Sequence, residues 1–387
     1  MFHLGRLRKE MEVSVIIPCL NEEETIGACI NKALTSFEVL GLEAEVIVVD
    51  NGSQDNSTEI AQKSGAKVIH QQALGYGNAY LKGFSQAKGK FIIMADGDDT
   101  YNLLEIKPFI DKLSEGYDFV IGSRFKGKIL PGGMPWLNRY IGNPILTGFL
   151  NLFFQAHISD AHCGFRAITK DALERINLKA GGMEFASEMI IDVLREKLKI
   201  AQVPITYHPR KGRSKLKPIS DAWRHMRFML LYSPTYLFLL PGGFLFGLGL
   251  LVLLLLLFGS FSFAGHRFDV HAMVLASFSA ILGFQILNLG LYSKTYAHLW
   301  GFQRQSSIEK FYKVFKLEKG IILGLSLFCL GFLVGVHIFY QWFKTGFGAL
   351  NVLRLALFAL TFMVIGIQTI FSSFFLSLMG LQRRKLD

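Results

Sequence analysis

The sequence predicts an α/β domain with a mainly parallel sheet, followed by an all-α domain of four membrane-spanning helices. In the first half of the chain, short apolar runs rich in β-branched residues alternate with helical segments, which is typical of βαβ units. After about Tyr236, long uncharged apolar stretches take over. Over all 387 residues, 51% are apolar and the mean hydropathy is +0.35, which is high for an ordinary soluble protein.

The first half contains six predicted strands and four predicted helices. Because helices separate successive strands, the strands are expected to pair in parallel through crossover connections. The strands lie at residues 12–18, 44–50, 66–70, 90–96, 117–122 and 200–207. The first helix is predicted to begin at Asn21, a candidate N-cap followed by three glutamates. The other helices lie at residues 55–64, 75–87 and 185–197.

Carboxylates cluster where the predicted strand at residues 90–96 ends. Asp96 and Asp98 form a D-x-D pair around Gly97, and Asp99 follows. In open α/β sheets, ligands bind at the carboxyl edge of the strands. Carboxylate oxygens are ligands for a hard cation such as Mg²⁺ or Mn²⁺, and such a cation binds a diphosphate. The alternative is a solvated acidic turn.

A further acid, Asp50, ends the second predicted strand and reaches the same edge of the sheet. A polar turn, NGSQDNS, follows it, and an acid in this position of a nucleotide-binding fold contacts the base or the ribose. The GYGNAY segment at residues 75–80 lacks both the G-x-G-x-x-G pattern and the P-loop pattern. The sequence therefore supports neither a Rossmann dehydrogenase nor a P-loop enzyme.

Charge and cysteine content narrow the class further. The formal net charge is +11, and half of the chain is hydrophobic. Together these features predict that the partner is an anionic membrane surface or an anionic substrate and not a nucleic acid. The N-terminus, MFHLGRLRKEMEVS, lacks the apolar core of a secretory signal. We therefore expect a cytoplasmic N-terminal domain. The chain has four cysteines, which lack metal-ligand spacing and are all expected to be reduced: Cys19, Cys29 and Cys163 in this domain and Cys329 in the apolar half.

Four apolar stretches are long enough to cross a bilayer as helices. They lie at about residues 236–259, 272–292, 321–342 and 355–378. The loop at residues 293–319 and the C-terminal tail are rich in lysine and arginine, whereas the other two loops are poorer. The positive-inside rule therefore predicts that the N-terminal domain, the second loop and the C-terminus are cytoplasmic.

Two segments join the halves of the chain. Residues 136–156 are apolar, contain Pro144 and are predicted to form a broken amphipathic helix in the membrane interface. Residues 218–235 are predicted to form a second interfacial helix that leads into the first span. Core packing is the alternative for both segments. The predicted domains are 1–217, which includes the first interfacial helix, the linking helix 218–235, and 236–387.

Six motifs occur in order within residues 18–216: PCLNEEE, VVDNGSQD, ADGDD, GSRF, DAHCGFR and RKGRSKL. Together they resemble the inverting family 2 glycosyltransferases with a GT-A fold. Within that family, they are most similar to the polyprenyl-phosphate branch, which includes the dolichyl-phosphate mannose and glucose synthases. The resemblance covers roughly residues 13–234 and implies a GT-A domain, which is Rossmann-like with a mainly parallel sheet.

The resemblance implies a donor site for a nucleotide sugar. Pro18, Asn21 and Glu22 would line the nucleotide pocket, and Asp50 would contact the base. Three basic residues would close on the diphosphate: Arg210, Arg213 and Lys215. For this basic run, the alternative is a solvated cluster beside the membrane.

The resemblance also assigns the catalytic centre. Asp96 would contact the sugar nucleotide and the cation, and Asp98 would be the principal ligand of Mg²⁺ or Mn²⁺. The family often has glutamine two residues after the second aspartate, where this sequence has Thr100. The third protein ligand therefore stays open between Thr100, Asp99 and water.

On the acceptor side, the resemblance implies that Arg124 of GSRF is catalytic and faces the acceptor phosphate. Arg139 would be the second basic residue, with Asn143 near the family's hydroxyl position. For Arg139, the alternative is a snorkelling side chain at the membrane surface. Glu184 and Glu188 are the candidates for a general base, but a lipid phosphate is already an anion and needs none. We expect them to orient the helix at residues 185–197 or to hold the basic loop.

The implied function is inverting transfer of a hexose from a nucleotide sugar, of the UDP-glucose or GDP-mannose type, to a polyprenyl phosphate at the cytoplasmic membrane face. The partners would be the nucleotide sugar, dolichyl or undecaprenyl phosphate and the membrane, with self-association left open. One alternative is a processive polysaccharide synthase, whose Q-x-x-R-W motif is missing from this sequence. The other is a non-catalytic glycolipid-binding membrane protein.

Overall fold

The computed structural model of the protein describes residues 11–211, 218–299 and 317–381. The chain divides into two compact units, with the boundary between Met229 and Leu230. This boundary falls inside the segment that is predicted to form the second interfacial helix.

The N-terminal unit is built on one seven-stranded sheet. Its strands are β1 (Val13–Cys19), β2 (Ala44–Asp50), β3 (Lys67–His70), β4 (Phe91–Met94), β5 (Phe119–Ile129), β6 (Arg166–Thr169) and β7 (Ile200–Tyr207). They lie in the order β3-β2-β1-β4-β6-β5-β7. All neighbouring pairs are parallel except those of β6, which runs antiparallel between β4 and β5. The predicted mainly parallel sheet is confirmed.

Helices of the N-terminal unit pack against this sheet, and its central strands are buried almost completely. Val15, Ile16 and Ile17 of β1 are fully buried. The helices are α1 (Ile26–Leu40), α2 (Ser57–Lys63), α3 (Tyr76–Phe84), α4 (Lys107–Ser114), α5 (Asn143–Phe154), α6 (Lys170–Arg175), α7 (Phe185–Arg195) and α8 (Pro218–Leu231). The last of these crosses the boundary between the units.

The sequence did not predict β6, because four residues that begin with arginine carry too little apolar pattern to stand out. Arg166 is nevertheless almost fully buried. Its guanidinium donates to the backbone carbonyl oxygens of Cys163, Ala161 and Ala186 at 2.8, 2.9 and 2.7 Å. These bonds fasten the loop before β6 to the start of α7.

The first helix begins later than the sequence predicts. Thr25 is the N-cap of α1, so the expected cap by Asn21 is wrong. Asn21 instead has a φ of 51°, in the left-handed region that asparagine tolerates. Its Oδ1 accepts a hydrogen bond from the Gln54 amide at 2.7 Å, so it binds the turn after β2. Because the intervening residues form turns, Glu22 lies at the sheet edge and not in a helix.

A helix with a π segment follows β5. Residues Asn138–Gly142 form the π segment and continue directly into α5, where Pro144 occupies the first turn. The predicted break is therefore a widened turn. Exposed apolar side chains fit the predicted interfacial helix: Trp136, Leu137, Tyr140, Ile141, Ile145 and Leu152. The location of this helix in a membrane stays a prediction.

The C-terminal unit consists of long apolar helices. They are α9 (Leu240–Leu257), α10 (Val270–Leu299), α11 (Leu317–Lys344) and α12 (Leu353–Leu381), and a hairpin of β8 (Phe261–Phe263) and β9 (His266–Phe268) joins the first two. Within the described ranges, four helices are long and apolar enough to cross a membrane: Thr235–Leu257, Val270–His298, Leu317–Lys344 and Leu353–Gly380. The predicted number of spans is confirmed.

Glycines allow these helices to pack closely. A Cβ built on Gly249 of α9 would lie 2.6 Å from the backbone nitrogen of Ala280 in α10. A Cβ on Gly324 of α11 would lie 2.7 Å from the carbonyl oxygen of Gly366 in α12. Helix backbones that approach this closely leave no space for a side chain.

Candidate active site

The candidate site lies at the carboxyl edge of β1, β2 and β4. Asp50 is the last residue of β2 and pairs in register with Cys19, the last residue of β1. β4 ends at Met94, two residues before Asp96. The parallel strands therefore bring Asp50 and Asp96 to one edge of the sheet, as their positions in the sequence predict.

Asp96 is held between the start of α3 and the loop before β6. The Tyr76 hydroxyl donates to Asp96 Oδ1 at 2.9 Å. A Cβ on Gly164 would lie 2.7 Å from Asp96 Oδ2, so this position needs glycine. Burial and, to a smaller extent, the nearby charge of Asp98 raise the pKa of Asp96 to about 7. Asp96 therefore carries its full negative charge only above neutral pH.

Asp98 is fixed by Thr100 and Arg210. Thr100 donates from its amide and its hydroxyl to Asp98 Oδ1, at 3.2 and 2.6 Å. The other oxygen, Oδ2, pairs with Arg210 Nη1 at 3.1 Å. Thr100 thus supports the orientation of the Asp98 carboxylate.

Arg210 joins the basic motif to the acidic edge. Its Nη2 donates to Glu22 Oε1 at 2.9 Å, while Nη1 pairs with Asp98. The Arg210 Nε is buried and has no hydrogen-bond partner among the described residues. Leaving a buried donor unsatisfied costs about 1–3 kcal/mol. This N–H therefore marks a place for an anionic acceptor beside the carboxylates.

Asp99 binds two lysines from distant parts of the chain. Its Oδ1 pairs with Lys32 Nζ of α1 at 2.5 Å, and its Oδ2 pairs with Lys211 Nζ at 3.1 Å. The Asp99 side chain is 8% exposed, and its φ of 58° lies in the left-handed region. Each oxygen of Asp99 is thus engaged by an ammonium group.

Asp50 lies in a nest of donors at the end of β2. The amides of Ser53 and Gly52 donate to its two oxygens at 3.1 and 3.3 Å, and His70 Nδ1 lies 3.1 Å from Oδ2. Burial acts to raise the pKa of Asp50, but the hydrogen bonds from Ser53, His70 and Gly52 outweigh it, so the pKa is lowered. Asp50 is therefore ionised at neutral pH and acts only as an acceptor.

The other residues predicted for the nucleotide pocket adjoin Asp50. Pro18 pairs in register with Val49, one residue before it. The Asn21 amide donates to Ser53 Oγ at 3.0 Å, and the Glu22 amide donates to Ser57 Oγ at 2.7 Å. The turn after β1 and the turn after β2 are thus hydrogen-bonded into one wall.

Arg124 binds the carboxylate of Asp160, a residue that is not among those predicted for the site. Its Nε and Nη2 donate to the two oxygens of Asp160, each at 2.7 Å, and Asp160 is fully buried. The guanidinium also lies 5.2 Å from the ring centroid of Tyr207. Asp160 could have been found, because it opens the DAHCGFR motif and a buried arginine requires an anionic partner.

Arg139 and Asn143 lie on the helix that follows β5. The Arg139 guanidinium lies 5.3 Å from the ring centroid of Tyr140 and pairs with no carboxylate in the described part of the chain. Asn143 Nδ2 lies 3.5 Å from the sulfur of Met134. The structure therefore leaves the Arg139 guanidinium open to an external anion.

The two candidate general bases have structural contacts. Glu188 Oε2 accepts hydrogen bonds from the amides of Lys179 and Ala180 at 3.0 and 2.8 Å. Burial raises the pKa of Glu188, and these amide bonds lower it in part. Glu188 therefore holds the loop before α7, while Glu184 occupies the N-cap position of that helix without a side-chain cap. Arg213 and Lys215 lie outside the described residues.

Two families match parts of this chain. Residues 14–176 match the family described as Glycosyl transferase family 2. Residues 291–380 match the Glycosyltransferase family 2 C-terminal transmembrane region. The first match spans most of the sheet and its acidic edge, and the second spans most of the last two long helices.

Curated relatives extend the similarity over nearly the whole chain. The low-salt glycan biosynthesis hexosyltransferase Agl6 of Haloferax volcanii is 38% identical over 369 residues, which cover 95% of this chain and 89% of the relative. The dolichyl-phosphate hexose transferase of the same organism is 33% identical over 54% of this chain and 88% of its own. The dolichol-phosphate mannosyltransferase of Pyrococcus furiosus is 32% identical over 56% and 63%, respectively.

Among solved structures, glucosyl-3-phosphoglycerate synthase from Mycobacterium tuberculosis, in complex with Mn²⁺, UDP and glucosyl-3-phosphoglycerate, aligns over 57% of this chain and 79% of its own. The identity is 21% and the TM-score is 0.48. The nearly full-length similarity to a hexosyltransferase, together with the family match, shows that the chain belongs to glycosyltransferase family 2. It is a glycosyltransferase and an integral membrane protein.

Proposed function

We propose that this enzyme transfers a hexose from a nucleoside diphosphate sugar to a polyprenyl phosphate at the cytoplasmic face of the membrane, with inversion at the anomeric carbon. The observation that carries the proposal is the position of Arg210. Its guanidinium bridges Glu22 and Asp98, and its buried Nε, beside these two carboxylates, has no partner among the residues that the structure describes. A diphosphate bound to a cation at those carboxylates would accept that hydrogen bond.

The donor nucleotide is proposed to lie along the wall formed by the turns after β1 and β2. Asp50 is ionised and accepts hydrogen bonds only, so it suits a base edge that presents N–H donors. Uracil and guanine both present such an edge, which leaves UDP-glucose and GDP-mannose as the two donors to compare. Pro18, Asn21 and Glu22 would form the rest of this wall.

The carboxylate pair of the D-x-D motif fits a divalent cation. In the described part of the chain, no group of three or more His, Cys, Asp and Glu side chains is arranged to hold a metal ion. The pair Asp96 and Asp98 supplies hard oxygen donors, and Mg²⁺ or Mn²⁺ would stabilise the ionised form of both carboxylates. We propose that water and diphosphate oxygens complete the ligand set. The cation would stabilise the charge of the departing diphosphate.

The acceptor phosphate is proposed to bind Arg124 and Arg139, with Asn143 beside them. Asp160 holds Arg124 in place, while the Arg139 guanidinium has no carboxylate partner in the described residues. An anionic phosphate oxygen attacks the anomeric carbon from the face opposite the diphosphate, and the bond to the diphosphate oxygen breaks. No general base is required, which agrees with the structural contacts of Glu188.

The relatives support the lipid acceptor. Two of them are named for transfer to dolichyl phosphate or dolichol phosphate. An acceptor of this kind is anchored in the bilayer, and this chain carries four helices that can span one. The lysine-rich and arginine-rich loops support a cytoplasmic catalytic domain, where nucleotide sugars are found.

The test is lipid extraction after incubation with labelled donors. Membranes that contain the protein are supplied with polyprenyl phosphate, Mn²⁺ and a panel that includes UDP-glucose and GDP-mannose. We expect label in an acid-labile lipid, loss of that label in EDTA with recovery on adding Mn²⁺, and loss in Asp98→Ala. Asp111→Ala serves as the control, because Asp111 forms an exposed pair with Lys107 on α4. Label in an insoluble polymer would indicate a polysaccharide synthase. Full transfer in excess EDTA would refute the proposed requirement for a divalent cation.

A further inference from the structure

The segment that carries Arg210 runs beside the acidic turn after β4. Tyr207 and Tyr101 form an antiparallel bridge, and the His208 amide donates to the Thr100 carbonyl at 2.9 Å. Side-chain ion pairs extend this backbone contact. Arg210 pairs with Asp98, and the next residue, Lys211, pairs with the next carboxylate, Asp99.

We propose that Asp99 is a positioning residue, which holds the Arg210 guanidinium at Asp98 by binding Lys211. This inference rests on the proposed function, in which Arg210 binds the donor diphosphate. An arginine side chain loses much rotamer freedom when it is fixed in one place. Once Lys211 is held by Asp99, the backbone at residue 210 is already in place, so less freedom is lost when Arg210 binds.

Lys32 of α1 keeps the Asp99 carboxylate in position. The Lys32 side chain is 29% exposed and binds Oδ1, whereas the Lys211 side chain is 61% exposed and binds Oδ2. Lys32 is the less exposed of the two lysines and belongs to a helix of the N-terminal unit, so it fixes the Asp99 carboxylate. The backbone of Asp99 has a φ of 58°, in the left-handed region that aspartate and asparagine tolerate.

This role differs from that of a third cation ligand. A third cation ligand would be needed for Mn²⁺ binding whether or not Lys211 is present, whereas in the structure the two oxygens of Asp99 bind ammonium groups. A positioning residue instead predicts that Asp99 and Lys211 depend on each other. Loss of either partner should then weaken donor binding, and loss of Lys211 should add little once Asp99 has been replaced.

The test is a double-mutant cycle on the full-length protein with Asp99→Asn, Lys211→Met and their combination. Asparagine keeps the size of the side chain and tolerates the positive φ. We expect each single variant to weaken binding of the donor nucleoside diphosphate with Mn²⁺ by about 3- to 10-fold, because a partly exposed ion pair contributes about 1 kcal/mol. The double variant should lie within about 2-fold of either single variant. Lys211→Arg should retain binding, and Lys107→Met on the exposed face of α4 is the control.

Two outcomes overturn the inference. One is additive losses in the double variant. The other is a higher Mn²⁺ requirement in Asp99→Asn that Lys211→Met does not share, which would make Asp99 a cation ligand.

Hydrogen exchange of the peptide that covers residues 204–211 provides a measurement that needs no donor. Both single variants should speed exchange of the His208 amide, and unchanged exchange also overturns the inference. If the wild-type protein binds no nucleoside diphosphate but the exchange behaves as expected, the proposed function fails and the positioning role stands.

Discussion

Arg124 and Arg139 are both assigned to the acceptor phosphate, yet they have different surroundings. Arg124 is buried and donates twice to Asp160, so its guanidinium is fixed before any ligand arrives. Arg139 contacts the ring of Tyr140 and is only partly buried. The fixed Arg124 would orient the acceptor phosphate. Arg139 has no such partner, so its removal should reveal how much it contributes to phosphate binding.

Replacing Arg139 should therefore affect the acceptor and spare the donor. Guanidinium binds phosphate through charge-assisted hydrogen bonds, and losing them costs about 1.5–3 kcal/mol. We expect Arg139→Ala to raise the KM for polyprenyl phosphate, or to lower turnover, by about 10- to 100-fold, with partial rescue by Arg139→Lys. Nucleotide-sugar binding, measured by calorimetry, should change by no more than about 3-fold. Donor binding that weakens as much as transfer would assign Arg139 to the diphosphate instead.

Removing the partner of Arg124 should affect stability as well as transfer. Breaking a buried ion pair leaves an uncompensated charge and costs about 3–5 kcal/mol. We expect Asp160→Asn to lower the thermal midpoint of the catalytic domain and to reduce transfer. Asp111→Asn, at an exposed pair, should leave both unchanged, because such pairs contribute about 0–1 kcal/mol. A stable and active Asp160→Asn protein would show that the pair contributes little.

The pKa of Asp96 makes cation binding sensitive to pH. Burial raises this pKa to about 7, so the carboxyl group gains a proton as the pH falls through neutrality. Cation ligands must be deprotonated, so Mn²⁺ binding at pH 7 should release about half a proton, and binding at pH 8 almost none. Below about pH 6, affinity should fall about tenfold per pH unit. Calorimetry in two buffers of different ionisation enthalpy measures this release, and no release at pH 7 would contradict the expectation.

At the scale of secondary-structure elements, local patterns explain which parts could be predicted. β1, β2 and β4 are buried apolar runs, so both their positions and the acids at their ends follow from the sequence. β6 is short and begins with a buried arginine, and such a strand exists only because β4 and β5 flank it. The ion pairs Lys32–Asp99 and Arg124–Asp160 join residues that are far apart in the chain. Apolar patterns along the chain do not encode such contacts, and among these residues only Asp160 could have been predicted, from its place in the DAHCGFR motif.

The packing of α11 against α12 depends on single glycines. A Cβ on Gly324 would lie 2.7 Å from a backbone oxygen of α12, whereas one on Gly335 would meet nothing within 4 Å. Gly324→Ala should therefore lower the thermal midpoint in detergent, because overpacking costs about 1–3 kcal/mol. Gly335→Ala, on the same helix, should be neutral or slightly stabilising, since alanine favours helix. Equal effects of both substitutions would show that the close approach does not matter.

At the scale of the whole molecule, the distribution of basic residues predicts the orientation in the membrane. If the four candidate spans of the described residues all cross the membrane, the N-terminal domain and the C-terminal tail lie on the same side. The loop at residues 293–319 and the tail after residue 378 are rich in lysine and arginine, which favours the cytoplasm for both.

Fusion reporters can test this orientation. A fluorescent reporter that matures only in the cytoplasm, placed after Asp387, should be bright. Alkaline phosphatase at the same position should be inactive, but it should be active when inserted in the loop at residues 343–354. The reverse pattern would place the catalytic domain outside the cytoplasm and exclude the proposed access to nucleotide sugars.

The central position of β6 also determines the order in which the domain can fold during synthesis. β1 to β4 pair only with one another and with β6, so this half of the sheet can form as soon as it leaves the ribosome. β5 has no partner until β6 has been made, and its second partner, β7, follows later. Asp50 and Asp96 are thus in place early, whereas Asp160 reaches Arg124 later, and Arg210 reaches Asp98 last. The strands that end at Asp50 and Asp96 thus precede in the chain the segments that supply Asp160 and Arg210, and all of them precede the first span, which begins at Thr235.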